Sequence, residues 1–314
     1  MILLSNGREA FISLSAHCST WNKLVTLKFC STWNNATFLS SFLSNLPAKC
    51  YNSLKMHRII AIVNQKGGVG KTTTAINLAA SLALSGEKIL IIDIDPQGNS
   101  TSGLGISRDA IEKTLYNVIS GDCTAKEAII GTSVENLFLL PSSIDLLGSE
   151  VELAGREGRE RILSSALEEI RGEYRYIFID CPPSLGVLTV NALVAAESVI
   201  VPVQCEYYAL EGLGLLTKTL RLVRGSFNPA IDIEGILLTM FDTRNSLAHQ
   251  VVSEIKKHFG DKVYRTVIPR NVALSEAPSH GKPIILYDIR SRGAQSYLSL
   301  AKEILHENGV GQGA

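Results

Sequence analysis

The strongest constraint on this sequence is a glycine-rich turn at residues 65–73, Gln-Lys-Gly-Gly-Val-Gly-Lys-Thr-Thr. The apolar run 59–63 before it is typical of a buried strand, and apolar residues recur at helical spacing in 75–82 after it. Glycines let the backbone curl without a Cβ clash, so main-chain N–H groups and the helix N-terminus can converge on an anion. An incidental glycine turn is the alternative, but the flanking strand and helix favour a nucleotide triphosphate site.

The residue types in this turn predict separate contacts. Lys71 supplies a positive charge for the β- and γ-phosphates, and the Thr72 hydroxyl can take a Mg²⁺ position. Consecutive residues form the predicted phosphate cradle: Gly67, Gly68, Val69, Gly70, Lys71, Thr72 and Thr73.

Composition sets the broad class of protein. The 314 residues are 46% apolar, enough for a large core, and the formal net charge is zero. Residues 241–292 contain nine Lys or Arg against five Asp or Glu, which indicates a relatively basic C-terminal third. The six cysteines include no C-x-x-C pair, so we expect reduced thiols in a cytoplasmic protein. No apolar run is long enough to span a bilayer, and we expect no membrane partner.

Residues 1–55 differ from the rest of the chain, because they are rich in Ser, Asn, Phe and Leu and repeat Cys-Ser-Thr-Trp-Asn. A transit peptide would be Ser-rich and acid-poor, as this segment is, but richer in Arg. A small folded appendage would need stronger periodicity. We favour an atypical leader, disordered or wrongly joined upstream of a true start at Met56, because the first predicted strand begins directly after Met56. The predicted domains are therefore the leader at 1–55 and one domain at 56–314.

From Met56 onward strand and helix patterns alternate, which predicts an α/β fold with a doubly wound, mostly parallel sheet. The predicted strands are 58–63, 88–94, 136–140, 175–179, 198–203, 233–240 and 263–268. The predicted helices are 71–84, 109–119, 145–170 with a break near 155–158, 187–196, 208–223, 246–258 and 293–306. Ligands of such sheets bind beyond the carboxyl ends of the strands, so segments 64–73, 93–99 and 180–184 should meet at one edge.

Aspartates follow two of the predicted strands. Asp93 and Asp95 come at the end of the second strand, and Asp180 ends the fourth, before Cys-Pro-Pro-Ser. A carboxylate at a strand end beside a phosphate can orient an attacking water or hold magnesium through water. A turn or helix-capping role is the alternative for Asp93 or Asp95 taken alone. Asp180 fits the Walker B arrangement, in which the strand-end aspartate lies near Mg²⁺.

These motifs together carry a family resemblance. Residues 66–73 (KGGVGKTT), 93–98 (DIDPQG) and 180–184 (DCPPS) resemble the deviant Walker A ATPases, a group of P-loop NTPases, and above all the ParA/Soj chromosome-partitioning ATPases. The stretches 267–272 (VIPRNV) and 274–283 (LSEAPSHGKP) are similar to the same family. The resemblance spans 56–306 and excludes the leader. It implies a ParA-like ATPase domain at 56–314 that uses ATP and Mg²⁺.

The resemblance also implies catalytic roles by position. Lys66, which an ordinary P-loop lacks, is expected to reach the nucleotide of a second subunit, so that a homodimer sandwiches two ATP molecules. It would place positive charge where charge develops during phosphoryl transfer. Lys71 matches the lysine that acts on the nucleotide of its own subunit, and Asp95 matches the residue that positions the hydrolytic water.

The remaining implied roles concern the metal and the base. Thr72, Asp93 and Asp180 match positions around magnesium. Pro269 and Asn271 match positions that hold the adenine, although an ordinary loop after a strand is the alternative.

Members of this family bind duplex DNA without sequence preference through scattered basic residues of the C-terminal third. The candidates here are Arg244, Lys256, Lys257, Lys262, Arg265, Arg270, Lys282, Arg290 and Arg292. Relatives commonly have a basic residue where this chain has Ala273, so we favour Arg244, Arg265 and Arg270. Solvated helix faces are the alternative for any one of them.

The favoured function is a slow ATPase switch that dimerises on ATP, coats the nucleoid and is released when a ParB-like partner stimulates hydrolysis. A membrane-cycling regulator like MinD would need a basic amphipathic tail, but Lys302 is the sole Lys or Arg in 298–307. An iron–sulfur carrier would need paired cysteine ligands, and Cys123, Cys181 and Cys205 lack that spacing. A partition repressor that binds its own operator would need a helix-turn-helix domain, which 1–55 does not supply.

Overall fold

A computed structural model describes residues 2–5, 8–11, 57–153 and 155–310. The chain divides into two compact units, Met1–Leu54 and Lys55–Ala314. In the first unit β1 (Ile2–Ser5) pairs antiparallel with β2 (Arg8–Phe11). Apart from these strands, the predictions of a leader at 1–55 and a start at Met56 lie outside the described residues.

The second unit contains one seven-stranded sheet in the order β5-β6-β4-β7-β3-β8-β9. Its strands are β3 (Arg58–Ile62), β4 (Ile89–Asp93), β5 (Ile130–Gly131), β6 (Leu137–Leu140), β7 (Tyr176–Asp180), β8 (Ser198–Gln204) and β9 (Asp232–Thr239). Neighbouring strands pair parallel, except that the short β5 pairs antiparallel with β6. The predicted doubly wound, mostly parallel sheet is confirmed.

Helices cover both faces of this sheet. They are α1 (Lys71–Ala83), α2 (Asn99–Gly103), α3 (Leu115–Ser120), α4 (Ala125–Ala128), α5 (Leu146–Glu152), α6 (Ile162–Leu167), α7 (Val187–Ala195), α8 (Ala209–Ser226), α9 (Ser246–Phe259), α10 (Val272–Glu276), α11 (Ile284–Tyr287) and α12 (Arg292–Val310). Short 3₁₀ turns lie at Arg108–Ala110, Arg159–Arg161, Arg171–Glu173, Gly260–Lys262 and Ala277–His280. In the part of the chain described here, no helix is both long and apolar enough to cross a membrane.

The inner strand β3 shows why the apolar runs are continuous. Ile59, Ala61 and Val63 point to one face and pack with α3 and α5 to α9, whereas Ile60 and Ile62 point to the other and pack with α1 and α10 to α12. Because both faces are buried, a strand of this sheet needs apolar residues at every position rather than at alternate ones.

The strand order brings the sequence motifs together. β7 lies between β3 and β4, with Ile62 beside Asp180 and Asp180 beside Asp93 in the two ladders. The glycine-rich turn therefore leaves the sheet next to both aspartates. This is the edge at which segments 64–73, 93–99 and 180–184 were expected to meet.

One predicted strand is wrong. Segment 263–268 lies along β9 without a continuous ladder. Val263 forms an isolated bridge with Ile236, and the N–H groups of Tyr264 and Ile268 donate to carbonyls of β9 at 3.0 and 2.9 Å. A second isolated bridge, between Pro269 and Phe241, lies beyond both segments. The amides of Arg265 and Thr266 instead donate to the two carboxylate oxygens of Glu303 on α12, at 2.7 and 3.0 Å. Since those N–H groups are bound by a side chain, they are not available to β9.

Other boundaries differ from expectation for local reasons. The helix predicted at 109–119 begins as α3 only at Leu115, because Thr114 and Asn117 form a capping box there. The predicted break near 155–158 is present, since α5 ends at Glu152 and α6 begins at Ile162. Short elements such as α2 and β5 were not predicted at all.

A glycine in β9 permits one close approach that the fold needs. A Cβ placed on Gly235 would lie 2.3 Å from Cε2 of the Tyr264 ring, which is itself buried. The ring therefore occupies the space that any larger residue at position 235 would require.

We expect Gly235→Ala to lower the free energy of unfolding by about 1–3 kcal/mol, because the Tyr264 ring must move out of a packed core. Chemical denaturation of the full chain measures this loss. Gly214→Ala is the matched control: this exposed position in α8 has open space around it, so added helix propensity should leave stability equal or slightly higher. Equal unfolding midpoints for Gly235→Ala and wild type would contradict the packing argument.

Candidate nucleotide site

The glycine-rich turn has the backbone of an anion cradle. Gly68 and Gly70 have positive φ angles of 72° and 92°, and Gly70 is the N-cap of α1. Residues with side chains rarely adopt this conformation, which explains glycine at both positions. No side-chain cap occupies the N-terminus of α1, so its first N–H groups remain available to a phosphate.

Two buried hydrogen bonds to neighbouring strands and one bond within the loop hold the turn in place. Asn64 accepts the N–H of Lys66 on Oδ1 at 3.0 Å and donates from Nδ2 to the carbonyl of Pro202 at 2.7 Å. Thr239, at the end of β9, donates its hydroxyl to the carbonyl of Val69 at 2.8 Å. The loop is thus tied to β8 and β9 before any ligand binds.

The two lysines of the loop lie in different environments. Lys71 is buried, and its Nζ donates to the main-chain carbonyl of Lys66 at 3.2 Å. Burial lowers the pKa of Lys71, and the negative charge of Asp180 opposes that shift. The Nζ of Lys66 instead lies 2.6 Å from Oε2 of Glu206, in an ion pair whose side chains are 40% and 48% exposed. Lys71 is directed into its own site, whereas Lys66 lies on the surface.

Asp93 and Asp180 form a buried pair of like charges on adjacent strands. Both are fully buried, and both have raised pKa values because burial disfavours the charged form. The charge of Asp180 raises the pKa of Asp93 further. The hydroxyls of Ser100 and Thr72 oppose the shift at Asp180, as the hydroxyl and N–H of Thr101 do at Asp93.

Helix α2 supplies these hydrogen bonds. Ser100 donates its hydroxyl to Oδ2 of Asp180 at 2.8 Å, and Thr101 donates both its N–H and its hydroxyl to Oδ2 of Asp93 at 2.8 and 2.7 Å. The other oxygen of each carboxylate, Oδ1, is buried and accepts no hydrogen bond from the described residues. Each aspartate therefore has one satisfied oxygen and one available oxygen.

Asp95 lies just beyond β4, at the start of a turn. It is 7% exposed, and its Oδ1 accepts the N–H of Gln97 at 2.9 Å. Its main-chain carbonyl accepts the N–H of Gly98 at 2.8 Å and the hydroxyl of Ser142 at 2.6 Å. The structure thus places Asp93, Asp95 and Asp180 at the same edge as the glycine-rich turn.

The predicted adenine residues lie on the segment beside β9. Pro269 bridges to Phe241, and the Asn271 side chain caps α10 by accepting the N–H of Leu274 at 3.2 Å. A cavity of about 180 Å³ lies beside the first turn of α1, but neither residue lines it. Its lining includes Thr72, Thr73, Asn77, Asn99, Ser102 and Lys282.

A larger cavity of about 450 Å³ lies at the start of β3, lined in part by His57, Arg58 and Arg171. Its two arginines are ion-paired, Arg58 with Glu234 and Arg171 with Glu197. None of the sequence motifs lines this cavity, so the strand-end site is the better candidate despite its smaller volume.

Two of the three favoured arginines lie close together. Arg244 forms a two-pronged hydrogen bond with Asp242 at 3.0 and 2.8 Å, and the charge of Arg270 also contributes to the lowered pKa of Asp242. Arg265 is exposed on the segment whose amides bind Glu303. Arg244 and Arg270 thus both lie near Asp242, and Arg265 lies on the segment whose amides Glu303 binds.

Several residues that shape the site are not among those that the sequence predicts. The segment of Ser100 and Thr101 contains no apolar periodicity, but the run of hydroxyl residues at 100–102, one residue after Asp-Pro-Gln-Gly, is a signal for side chains that bind the neighbouring aspartates. Ser142 and Glu206 likewise follow the ends of β6 and β8, where a parallel sheet places its ligands.

Comparison with known proteins shows the family to which this chain is similar. A family model described as an AAA domain matches residues 57–233. The sporulation initiation inhibitor protein Soj of Bacillus subtilis (strain 168) is 59% identical over 249 residues, which cover 79% of this chain and 98% of that protein. The chromosome partitioning protein ParA of Caulobacter vibrioides (strain NA1000 / CB15N) is 55% identical over 250 residues, covering 79% of this chain and 94% of that protein.

A solved structure shows the same fold with ligands bound. Cobyrinic acid a,c-diamide synthase from Mycobacterium smegmatis, with bound ADP and magnesium, matches with a TM-score of 0.72 and 36% sequence identity. The match covers 82% of this chain and 97% of that one. On the extent and identity of the curated matches, the chain belongs to the ParA/Soj family of chromosome-partitioning ATPases.

Proposed function

We propose that this chain is an ATP-dependent switch that pairs with a second copy across bound nucleotide and binds duplex DNA without sequence preference. It would drive chromosome or plasmid partitioning in the cytoplasm, at the nucleoid, with ATP hydrolysis stimulated by a ParB-like partner. The observation that carries the proposal is the division between two lysines of one loop, Lys71 buried in its own site and Lys66 exposed.

The strand-end site fits ATP and magnesium. The backbone of 67–70 and the N-terminus of α1 suit phosphate, with Thr72 and Thr73 in the first helical turn. The unpartnered Oδ1 atoms of Asp93 and Asp180 suit a divalent cation, together with the Thr72 hydroxyl. In the described residues no three His, Cys, Asp or Glu side chains could hold a metal alone, so the cation would also depend on phosphate and water oxygens. Bound magnesium would neutralise negative charge on the phosphates.

Hydrolysis on this proposal is mainly a matter of position and charge. Asp95 orients a water for in-line attack on the γ-phosphate, while Lys71 stabilises the charge that develops on the phosphate oxygens. Lys66 of the paired copy adds a second positive charge from outside. Pro269 and Asn271 would hold the adenine on the side of β9.

Dimerisation requires Lys66 to exchange partners. Its ion pair with Glu206 joins two exposed groups, and such pairs contribute about 0–1 kcal/mol to stability. A triphosphate in a paired, water-excluded site offers far stronger attraction. Pairing would also double the basic surface that contains Arg244 and Arg270, so that ATP binding raises DNA affinity through multivalency.

The role of Lys66 is tested in an Asp95→Ala background, where turnover is blocked. With Mg-ATP we expect Asp95→Ala to form a dimer that stays bound to DNA, and Asp95→Ala/Lys66→Ala to remain monomeric, because the neighbour's phosphates lose their cation. Sedimentation velocity and DNA binding with ATP, ADP and no nucleotide measure both effects.

Lys113→Ala is the matched control for Lys66→Ala, since Lys113 is also a half-exposed lysine paired with a glutamate, 3.0 Å away. It should leave pairing unchanged. A dimer of equal stability with and without Lys66, or equal DNA affinity in all three nucleotide conditions, would overturn the switch.

The DNA contacts are tested through salt dependence. Arg244→Ala should weaken binding to duplexes of unrelated sequence equally, and should reduce the slope of log affinity against log salt by about two for a dimer. The matched control is Arg159→Ala, which removes an arginine that pairs with its neighbour Glu160 as Arg244 pairs with Asp242. An unchanged salt slope for Arg244→Ala would remove this residue from the interface.

The buried carboxylate pair predicts an unusual pH dependence. Because the folded pKa values of Asp93 and Asp180 are raised, the folded chain holds more protons than the unfolded chain, and stability falls as pH rises through those values. We expect the nucleotide-free melting temperature to fall between about pH 5 and about pH 8 more for wild type than for Asp93→Asn, which cannot ionise. Asp122→Asn, an exposed carboxylate, is the control and should behave as wild type. If melting temperature changed with pH in the same way for all three proteins, burial would not raise the pKa of Asp93 as assigned.

A further inference from the structure

Ser142 lies beside the proposed water-positioning residue but follows a different strand. It comes two residues after β6, which pairs parallel with β4 through Leu140 and Ile92. Beyond the ends of these two strands, Ser142 therefore reaches the turn that begins at Asp95. The side chain is buried, with 1% of its surface exposed.

Buried hydrogen bonds connect Ser142 directly to Asp95 and, through Thr101, to Asp93 at the end of β4. Its hydroxyl donates to the main-chain carbonyl of Asp95 at 2.6 Å. Its N–H donates to the hydroxyl oxygen of Thr101 at 3.2 Å, and that hydroxyl donates to Oδ2 of Asp93 at 2.7 Å. Ser142 thus binds the Asp95 peptide from one side and α2 from the other.

The position of Asp95 depends on its hydrogen bond from Ser142, because Asp95 lies beyond the main-chain hydrogen bonds of the sheet. Ile94 makes the last main-chain bond across to β7, from its N–H to the carbonyl of Asp180 at 3.1 Å. From Asp95 onward the chain turns, and the partners of Asp95 inside the turn are the N–H groups of Gln97 and Gly98. Ser142 supplies the contact from outside the turn.

We infer that Ser142 is a positioning residue for hydrolysis, which fixes the Asp95 peptide and thereby aims its carboxylate. The inference rests on the proposed role of Asp95 in orienting water. Loss of the hydroxyl should leave the nucleotide cradle of 67–73 in place, because the hydrogen bonds of Ser142 go to Asp95 and Thr101. It allows the Asp95 carboxylate to shift, and a misplacement of a catalytic group by about 1 Å can lower the rate of hydrolysis roughly a hundredfold.

The test compares Ser142→Ala with wild type in the full chain, using steady-state ATP hydrolysis and equilibrium binding of ATP. We expect kcat to fall about ten- to a hundredfold, with the dissociation constant for ATP and the unfolding midpoint close to wild type. Ser143→Ala is the matched control, because it removes the same hydroxyl from the adjacent residue, which bonds to Asp145 and Thr114 instead. Its kcat should equal that of wild type.

A double-mutant cycle separates an effect of Ser142 on Asp95 from a general loss of structure in the site. If Ser142 acts through Asp95, then adding Ser142→Ala to Asp95→Ala should not lower single-turnover hydrolysis further. The inference is overturned if the double variant hydrolyses ATP more slowly than Asp95→Ala alone, or if Ser142→Ala and wild type have equal kcat. It is also overturned if Ser142→Ala loses both ATP affinity and stability. If Asp95→Ala itself hydrolyses ATP at the wild-type rate, the proposed role of Asp95 fails, and the inference on Ser142 fails with it for that separate reason.

Discussion

Two aspartates lie side by side at the ends of adjacent strands, and the cost of burying them constrains the rest of this site. Asp93 and Asp180 are fully buried, neighbours in the β4–β7 ladder, and each has one oxygen without a hydrogen bond among the described residues. Burying one unpaired carboxylate is costly, and a second beside it adds repulsion. The surrounding structure lowers that cost through the hydroxyls of Ser100 and Thr101 and the nearby charge of Lys71. The negative charge that remains uncompensated, on the two Oδ1 atoms, attracts a cation.

The site therefore has a fixed part and an exchangeable part. Asn64 and Thr239 bind the glycine-rich turn to neighbouring strands through buried hydrogen bonds, so its backbone is set before a ligand arrives. Lys66 is held through a surface ion pair of little net stability. This contrast suits the proposed switch, in which the nucleotide cradle is permanent and the contact between two copies is transient.

The sequence predicted the sheet and its chemistry-bearing loops because their signals are local. Apolar runs mark β3, β4 and β7, and the aspartates stand directly at the strand ends, so the strand-end rule could place them together. The failures are contacts between residues distant in sequence. Nothing in segment 263–268 shows that Glu303 binds its amides, and nothing in Ser142 shows that it reaches Asp95, 47 positions away. Both depend on which strands become neighbours, which local patterns do not encode.

The last helix connects two regions that would otherwise be separate. Tyr297 on α12 shares a 3.1 Å hydrogen bond with Thr74 in the helix that follows the glycine-rich turn, while Glu303 two turns later binds the amides of Arg265 and Thr266. A fluorescent protein fused close behind Glu303, or a truncation that removes it, would therefore disturb the segment that holds Arg265. Imaging studies of this chain should separate any such fusion from α12 by a long flexible linker.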